Sequence, residues 1–152
     1  MDARIDYTKA SPSALKAMSA LQAAVNAGGL EPSLQELVKL RVPQINGCAF
    51  CIDPHFREAT AKGEKAERLY LLDAWREAPV YTPRERAALG WAETVTLVSQ
   101  THVPDDVFAE ARRHFEDAEL VNLTLAVVAI NGWNRFAIGF RVPPTLGKPA
   151  TA

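Results

Sequence analysis

Apolar residues recur at intervals of three and four positions through most of the chain, which is the spacing of one face of an α-helix. Leu34, Leu37, Val38 and Leu40 are one example. The pattern predicts helices over residues 13–27, 31–46, 48–61, 64–73, 82–99, from 103 onward and over 116–136. No alternating stretch is long enough for a strand. The sequence therefore predicts an all-α, single-domain protein over residues 1–152.

Several helix ends are marked by residues that cap or break a helix. Segment 82–85, Thr-Pro-Arg-Glu, combines an N-cap residue, a proline at the first position and an acidic first turn. Asn46 and Gly47 end the second helix. The last long segment, 116–136, is apolar on most sides, so we expect a central buried helix or a subunit-interface helix. The proline-rich tail after it is expected to be extended.

Composition and charge narrow the class of protein. Apolar residues make up 48% of the 152, enough for one globular core. The net charge is −1, with both signs spread along the chain, which argues against nucleic acid or an anionic membrane as a partner. The longest apolar stretch, 120–130, is too short to span a bilayer, and the first residues lack the apolar core of a secretory signal. We therefore expect a cytoplasmic protein.

The chain contains two cysteines, Cys48 and Cys51, within four residues of each other. A secreted disulfide scaffold would use more cysteines at wider spacing, so this pair is a redox couple, half of a metal site or a coincidence. On the first turn of a helix the two side chains share a face, with Cα atoms roughly 5–6 Å apart, which suits a disulfide. The free amides and the positive dipole end at that turn favour thiolate over thiol.

His55 and Glu36 complete a candidate site with this pair. His55 lies one turn beyond Cys51 on the same helix face, so its imidazole can reach the sulfur directly or through one water. If the helices on either side of Gly47 pack as a hairpin, Glu36 lies roughly 16 Å and His55 roughly 12 Å from that turn, at about 1.5 Å per residue. A carboxylate that bonds a histidine next to a thiol orients that histidine as a general base. Because His55 is nearer to Cys51, and Cys48 is nearer to the turn, we expect Cys51 to be the better-activated thiol and Cys48 the better-exposed one.

The arrangement resembles the active-site signature of the carboxymuconolactone decarboxylase superfamily, in its alkylhydroperoxidase AhpD-like branch. The specific part is the block 36–55, within ELVKLRVPQINGCAFCIDPHFREA, and the later NGWNRFAIGFRVPP is similar to the C-terminal portion of these proteins. The resemblance covers most of the chain. It implies a helical bundle built on a helical hairpin and a homo-oligomer, with trimers or hexamers common.

The resemblance also implies a thiol-dependent peroxidase with an antioxidant role. One cysteine is oxidised by a hydroperoxide substrate and the other resolves it as a disulfide. A dithiol protein, thioredoxin-like or lipoyl-bearing, then reduces that disulfide. The family's catalytic roles map onto Glu36, Cys48, Cys51 and His55, with His55, supported by Glu36, drawing the proton from Cys51. We expect no bound metal and no organic cofactor.

Two departures from the family pattern affect this interpretation. Some members carry a histidine between the two cysteines, where this chain has Phe50, so one polar proton carrier is missing. Asp53 and Pro54 are typical of an N-cap and a first helical position. The cysteines are therefore expected either within a helix that contains Pro54 or on a separate turn before a helix that begins there.

Other classes of function stay open from the sequence. A lactone-acid decarboxylase, the other branch of the superfamily, does not rely on a cysteine pair. A redox sensor, disulfide reductase or adaptor would keep the disulfide and turn over little peroxide. A pure scaffold would tolerate serine at both positions. A structural zinc site needs four ligands, and only His102 and His114 are left to join the cysteines, at unsuitable spacing.

Overall fold

The computed structural model describes residues 2–146, and these form nine α-helices and no strand. The helices are α1 (Tyr7–Ala10), α2 (Pro12–Ala27), α3 (Pro32–Asn46), α4 (Ala49–Ala61), α5 (Ala66–Tyr70), α6 (Pro83–Thr96), α7 (Val98–Thr101), α8 (Asp105–His114) and α9 (Asp117–Gly139). A short 3₁₀ helix, Leu72–Ala74, follows α5. The prediction of an all-α fold is confirmed.

Helices α3 and α4 form the hairpin on which the bundle is built. They pack against each other across a two-residue connection, Gly47 and Cys48. Gly47 has φ 69°, in the left-handed region that favours glycine. The amide of Cys48 donates to the Pro43 carbonyl at 2.9 Å, and that of Gly47 to the Gln44 carbonyl at 3.3 Å. The glycine therefore ends α3 and places Cys48 at the start of α4.

Two apolar clusters share α3, which is why this helix is buried along most of its length. Leu34, Val38 and Val42 pack into a cluster with residues of α6, α8 and α9. Leu37 and Leu40 pack into a second cluster with residues of α4, α5 and α6. With apolar side chains on both sides, α3 is held as the central element of the fold.

The structure decides between the two predicted starts of α4 in favour of the helix over 48–61. The helix begins at Ala49, with Cys48 as its N-cap residue, and continues through Pro54. A separate helix beginning at Pro54 is therefore wrong. Asp53 does not cap a helix. Its carboxylate instead accepts a hydrogen bond from Arg57 at 2.6 Å.

Several other predicted bounds shift. The predicted helix 64–73 is only α5 plus the 3₁₀ turn, because Glu64 belongs to the turn that ends α4, its amide donating to Ala59. The predicted helix 82–99 ends at Thr96, and α7 follows. The short helix α1 was not predicted, and α9 extends to Gly139. The capping box at Thr82 and Glu85 is present as predicted.

Helix α9, the longest element, packs against α2, α3 and α6. Asn131 and Asn134 are buried on its inner side. Within residues 2–146, neither α9 nor any other helix is long and apolar enough to cross a membrane.

Candidate active site

Cys48 and Cys51 are joined as a disulfide, with Cα atoms 5.4 Å apart. Both are buried, Cys48 at 1% and Cys51 at 4% exposure, among Phe50, Ala137 and Val142. The expectation that Cys48 is the better-exposed cysteine is therefore wrong. The C-terminal end of α9 and the tail that follows it cover Cys48, and sequence spacing within the hairpin gives no sign of that cover.

His55 lies one turn after Cys51 on α4, and its hydrogen-bond partner is Glu58. The ring Nδ1 donates to Glu58 Oε2 at 3.3 Å. This hydrogen bond lowers the pKa of Glu58 below its usual range, against partial burial, and the nearby charges of His55, Lys39 and Lys62 act in the same direction. With Nδ1 donating its proton, Nε2 of a neutral imidazole carries the lone pair that accepts a proton.

Glu36 lies near this pair, as the hairpin argument predicted, but it does not make the expected hydrogen bond to His55. Its partner is Lys62, and the carboxylate that bonds the imidazole is Glu58. Glu36 is 3% exposed, and one of its oxygens comes within 4.8 Å of His55 and Glu58 atoms. Its Oε1 accepts a hydrogen bond from Lys62 at 2.6 Å and lies 3.6 Å from Lys39 Nζ. Its Oε2 is buried and has no hydrogen-bond partner among the described residues. Glu36 is thus a buried carboxylate with one oxygen neutralised and one unused.

Glu36, His55 and Glu58 form the cluster among residues 2–146 that could hold a metal ion. Two lysines, Lys39 and Lys62, already balance the two carboxylates. A divalent cation would add two further positive charges next to these ammonium groups, although Glu36 Oε2 itself has no partner among the described residues. The arrangement fits proton transfer within a neutralised cluster better than cation binding.

The two cysteines line different cavities. The Cys51 cavity, of about 650 Å³, is lined by Cys51, His55, Glu58, Lys39 and apolar side chains that include Leu15, Ile130 and Trp133. The Cys48 cavity, of about 360 Å³, is lined by Cys48 with Ala137, Ile138, Arg141, Val142, Pro143 and Pro144. Phe50 lines both. His55 and Cys51, the predicted base and the thiol predicted to be activated, therefore both line the larger of these two cavities.

Three asparagines, which the sequence reasoning missed, fix the hairpin turn to α9. Asn46 Nδ2 donates to Asn131 Oδ1 at 3.0 Å and to Asn134 Oδ1 at 2.8 Å. Asn131 in turn donates to Thr96 at 3.0 Å. Asn134 is almost fully buried, and its Nδ2 has no partner among the described residues. The sequence did offer one sign of them, because Asn131 and Asn134 are polar amides within the otherwise apolar helix α9.

The tail after α9 folds back over the cysteines. Arg141 has φ 54°, a left-handed conformation, and the Val142 amide donates to the Ala137 carbonyl at 2.9 Å. Further along, the Thr145 hydroxyl accepts a hydrogen bond from Arg57 at 3.2 Å. The tail is thereby attached to both α9 and α4. This attachment holds Val142 against the disulfide.

Residues 12–94, more than half of the chain, match the sequence model of the carboxymuconolactone decarboxylase family. The matched region contains Glu36, Cys48, Cys51 and His55. The chain belongs to this family. Membership does not by itself name a reaction, which has to be argued from the site.

Two relatives resemble the chain over nearly its whole length. The Bacillus subtilis (strain 168) protein YdfG, itself uncharacterized, is 38% identical over 138 residues, covering 91% of this chain and 94% of that protein. A solved structure from Agrobacterium tumefaciens, 48% identical, has a TM-score of 0.93 and covers 95% of this chain and 99% of its own. Its description gives an unknown function and proposes the antioxidant defence protein AhpD.

A third comparison shows the fold alone. An uncharacterized peroxidase-related protein from Ralstonia eutropha JMP134, described as an alkylhydroperoxidase AhpD core, is 22% identical with a TM-score of 0.80. The match covers 92% of this chain and 75% of that one. The AhpD-like fold predicted from the sequence is therefore confirmed.

Proposed function

We propose that this member of the carboxymuconolactone decarboxylase family is a thiol-dependent peroxidase that reduces organic hydroperoxides in the cytoplasm. One observation carries the proposal: the redox pair opens, through Cys51, into a cavity that also contains the His55–Glu58 pair. Thiol, base and base-orienting carboxylate are thus next to a space that a substrate can enter.

In the reduced protein, His55 takes the proton of the Cys51 thiol. The thiolate attacks the terminal oxygen of the hydroperoxide, the O–O bond breaks, and the alcohol leaves with the proton returned by His55. Cys51 is then a sulfenic acid. The Cys48 thiol condenses with it, releasing water and forming the disulfide. An external dithiol reduces the pair and completes the cycle.

The walls of the Cys51 cavity support an organic substrate. Leu15, Ile130 and Trp133 give it apolar surface, and its volume of about 650 Å³ is within the range of small-molecule sites. Lys39, His55 and Glu58 add polar groups to the same lining. An alkyl or aryl hydroperoxide places its carbon part on the apolar walls and its O–O group towards Cys51.

The test is the stoichiometric reaction of the reduced protein with cumene hydroperoxide. Wild-type protein should lose both thiols and gain an intramolecular disulfide, measured by thiol titration and intact mass. Cys48→Ser should accumulate a trappable sulfenic acid at Cys51. Thiols that stay reduced in the wild type would contradict the peroxidase assignment. Sulfenic acid trapped only in Cys51→Ser would show that the two cysteines have exchanged roles.

A redox sensor or disulfide reductase is the second candidate, favoured by two observations. Both sulfurs are buried, and Phe50 supplies no proton carrier between them. Such a protein would form the disulfide once and turn over slowly. Steady-state peroxide consumption with excess dithiol separates the two, since a sensor stops after about one equivalent of peroxide while a peroxidase continues.

A further inference from the structure

Glu36 and His55 are neighbours, yet they line different cavities. Glu36 lines a small cavity of about 190 Å³ together with Lys62, and it is not part of the lining of the Cys51 cavity. His55 and Glu58 line the Cys51 cavity and are not part of the small one. The cluster of two carboxylates and one imidazole is therefore divided, with one carboxylate on each side.

Lys62 holds the Glu36 carboxylate on the side of the small cavity. It is the C-cap residue of α4, and its Nζ donates to Glu36 Oε1, on α3, at 2.6 Å. This hydrogen bond raises the pKa of Lys62 above its usual value, against partial desolvation, so the ammonium stays charged. The Lys62 side chain is 56% exposed and that of Glu36 only 4%. A cation at the surface thus neutralises a buried carboxylate.

Without that ammonium, Glu36 would compete with Glu58 for the imidazole. One Glu36 oxygen lies within 4.8 Å of His55 and Glu58 atoms, just beyond hydrogen-bond distance. A buried carboxylate that loses its partner is costly, so its side chain turns to the nearest remaining donor. Lys39, at 3.6 Å from Oε1, and the His55 ring are the two donors in reach. The bond to Lys62 is what keeps Glu36 from using the ring.

The number of carboxylates at the imidazole affects how it works as a base. One carboxylate at Nδ1 orients the ring, whereas a second one further stabilises the imidazolium. In the proposed cycle, His55 takes a proton from Cys51 and gives it back to the leaving alcohol. An imidazolium held by two carboxylates returns that proton less readily. Keeping Glu36 away from the ring therefore favours turnover.

Resting on the proposed peroxidase function, we propose that Lys62 is a positioning residue that holds Glu36 away from His55. Glu58 is therefore the single carboxylate that orients the base. Glu36 keeps its charge, which Lys62 and Lys39 balance, and takes no direct part in proton transfer. The family resemblance assigns the support of His55 to Glu36, so one lysine at the end of α4 makes this chain depart from that expectation.

The test measures how much Glu58 contributes to the rate with and without Lys62. Lys62→Met keeps a long unbranched side chain and removes the charge, whereas Lys62→Arg keeps the charge. Lys65→Met is the matched control, because Lys65 is exposed, close in sequence and without an ion pair within residues 2–146. Each variant is made with and without Glu58→Gln, and oxidation of the reduced protein by cumene hydroperoxide is timed in a single turnover.

In the wild type, Glu58→Gln should slow oxidation by at least about tenfold, because Lys62 prevents Glu36 from replacing the lost carboxylate. In the Lys62→Met protein the same substitution should slow it by less than about threefold, since Glu36 is then free to accept from Nδ1. The Lys62→Arg and Lys65→Met proteins should show the full effect. Adding Glu36→Gln to Lys62→Met should restore the full effect, which a merely structural role of Lys62 does not predict.

An equal effect of Glu58→Gln with and without Lys62 would overturn the proposal, and so would the same relief in the Lys65→Met protein. Alkylation of Cys51 by iodoacetamide, in proteins that also carry Cys48→Ser, repeats the comparison without peroxide, because it reports the thiolate that the base produces. A wild type that cumene hydroperoxide does not oxidise would refute the peroxidase function. The alkylation rates would still decide the role of Lys62.

Discussion

At the scale of single residues, Glu58 determines what His55 can do. A carboxylate that accepts from Nδ1 fixes the ring orientation and leaves Nε2 as the proton acceptor. The chain offers a second pair of this kind on α8, where His114 Nε2 lies 3.2 Å from Glu110 Oε1. That pair lies at the surface and far in sequence from the cysteines. Substitutions in it therefore show what the loss of a His–Glu hydrogen bond does outside the candidate site.

We predict that Glu58→Gln slows oxidation of the thiols by cumene hydroperoxide by about 10- to 100-fold, because the base loses the charge that orients it. Glu58→Asp, which keeps the charge, should recover part of the rate. The rate is measured in a single turnover with reduced protein, over a range of pH.

Glu110→Gln is the control for that substitution and should react like wild type. A Glu58→Gln protein that reacts at the wild-type rate would remove Glu58 from the mechanism. A rate loss that Glu58→Asp does not recover, with lowered thermal stability, would make its role structural.

The sequence predicted these site residues unevenly. Cys48, Cys51 and His55 are close in sequence, so helix geometry alone brings them together. Glu36 was placed by the hairpin argument. Glu58, three residues after His55, was not among the predicted site residues, although helix geometry places it within reach of the imidazole. Lys62 and Asn134 could not be found this way, because only packing brings them to the site.

At the scale of elements, two turns of the same kind end the two arms of the hairpin. Gly47 ends α3 and Gly63 ends α4, with φ of 69° and 90°. In each, the next amide donates back to a carbonyl five residues earlier, Cys48 to Pro43 and Glu64 to Ala59. Neither glycine has an atom within 4 Å of an added Cβ, so alanine there strains the backbone without a clash.

We predict that Gly47→Ala and Gly63→Ala each lower the free energy of unfolding by about 1–2 kcal/mol, the cost of a left-handed alanine. Only Gly47→Ala should also slow disulfide formation, because it alone moves Cys48. Urea unfolding gives the first quantity and peroxide oxidation the second. Equal rates for the two variants would mean that the turn does not position the cysteine.

Pro54 shows where local sequence rules fell short at this scale. Asp53 and Pro54 match a helix start, yet α4 passes through them. A proline inside a helix removes one amide donor, here the one that would reach the Phe50 carbonyl. The packing of α4 on α3 outweighs that loss. Helix propensity describes an isolated segment, whereas in the folded protein the packing of α4 against α3 sets where the helix begins.

At the scale of the whole molecule, α9 leaves apolar side chains uncovered. Val121 is 66% and Val128 49% exposed, seven residues apart on one face of this helix. A net charge of −1 gives little repulsion between copies. Together with the family resemblance, this face supports the expectation of a homo-oligomer, with a second copy of the chain as the partner.

We predict that Val128→Glu shifts the protein towards a monomer of 16.6 kDa, because it places a charge in the apolar contact. Light scattering after size-exclusion chromatography measures the mass. Tyr70→Glu, at a 67% exposed position on α5, is the control and should keep the wild-type mass. A wild type that already runs as a monomer would contradict the expected oligomer.

Cys48 is also the N-cap residue of α4, and in the disulfide its side chain makes no capping hydrogen bond. The first amides of any helix lack an intrahelical partner. We predict that reduction frees the Cys48 sulfur to accept a hydrogen bond from the Phe50 amide, so that a cap replaces the covalent bond at the start of α4. Deuterium exchange at that amide should be slower in the reduced protein. The backbone itself would then report the redox state of the pair.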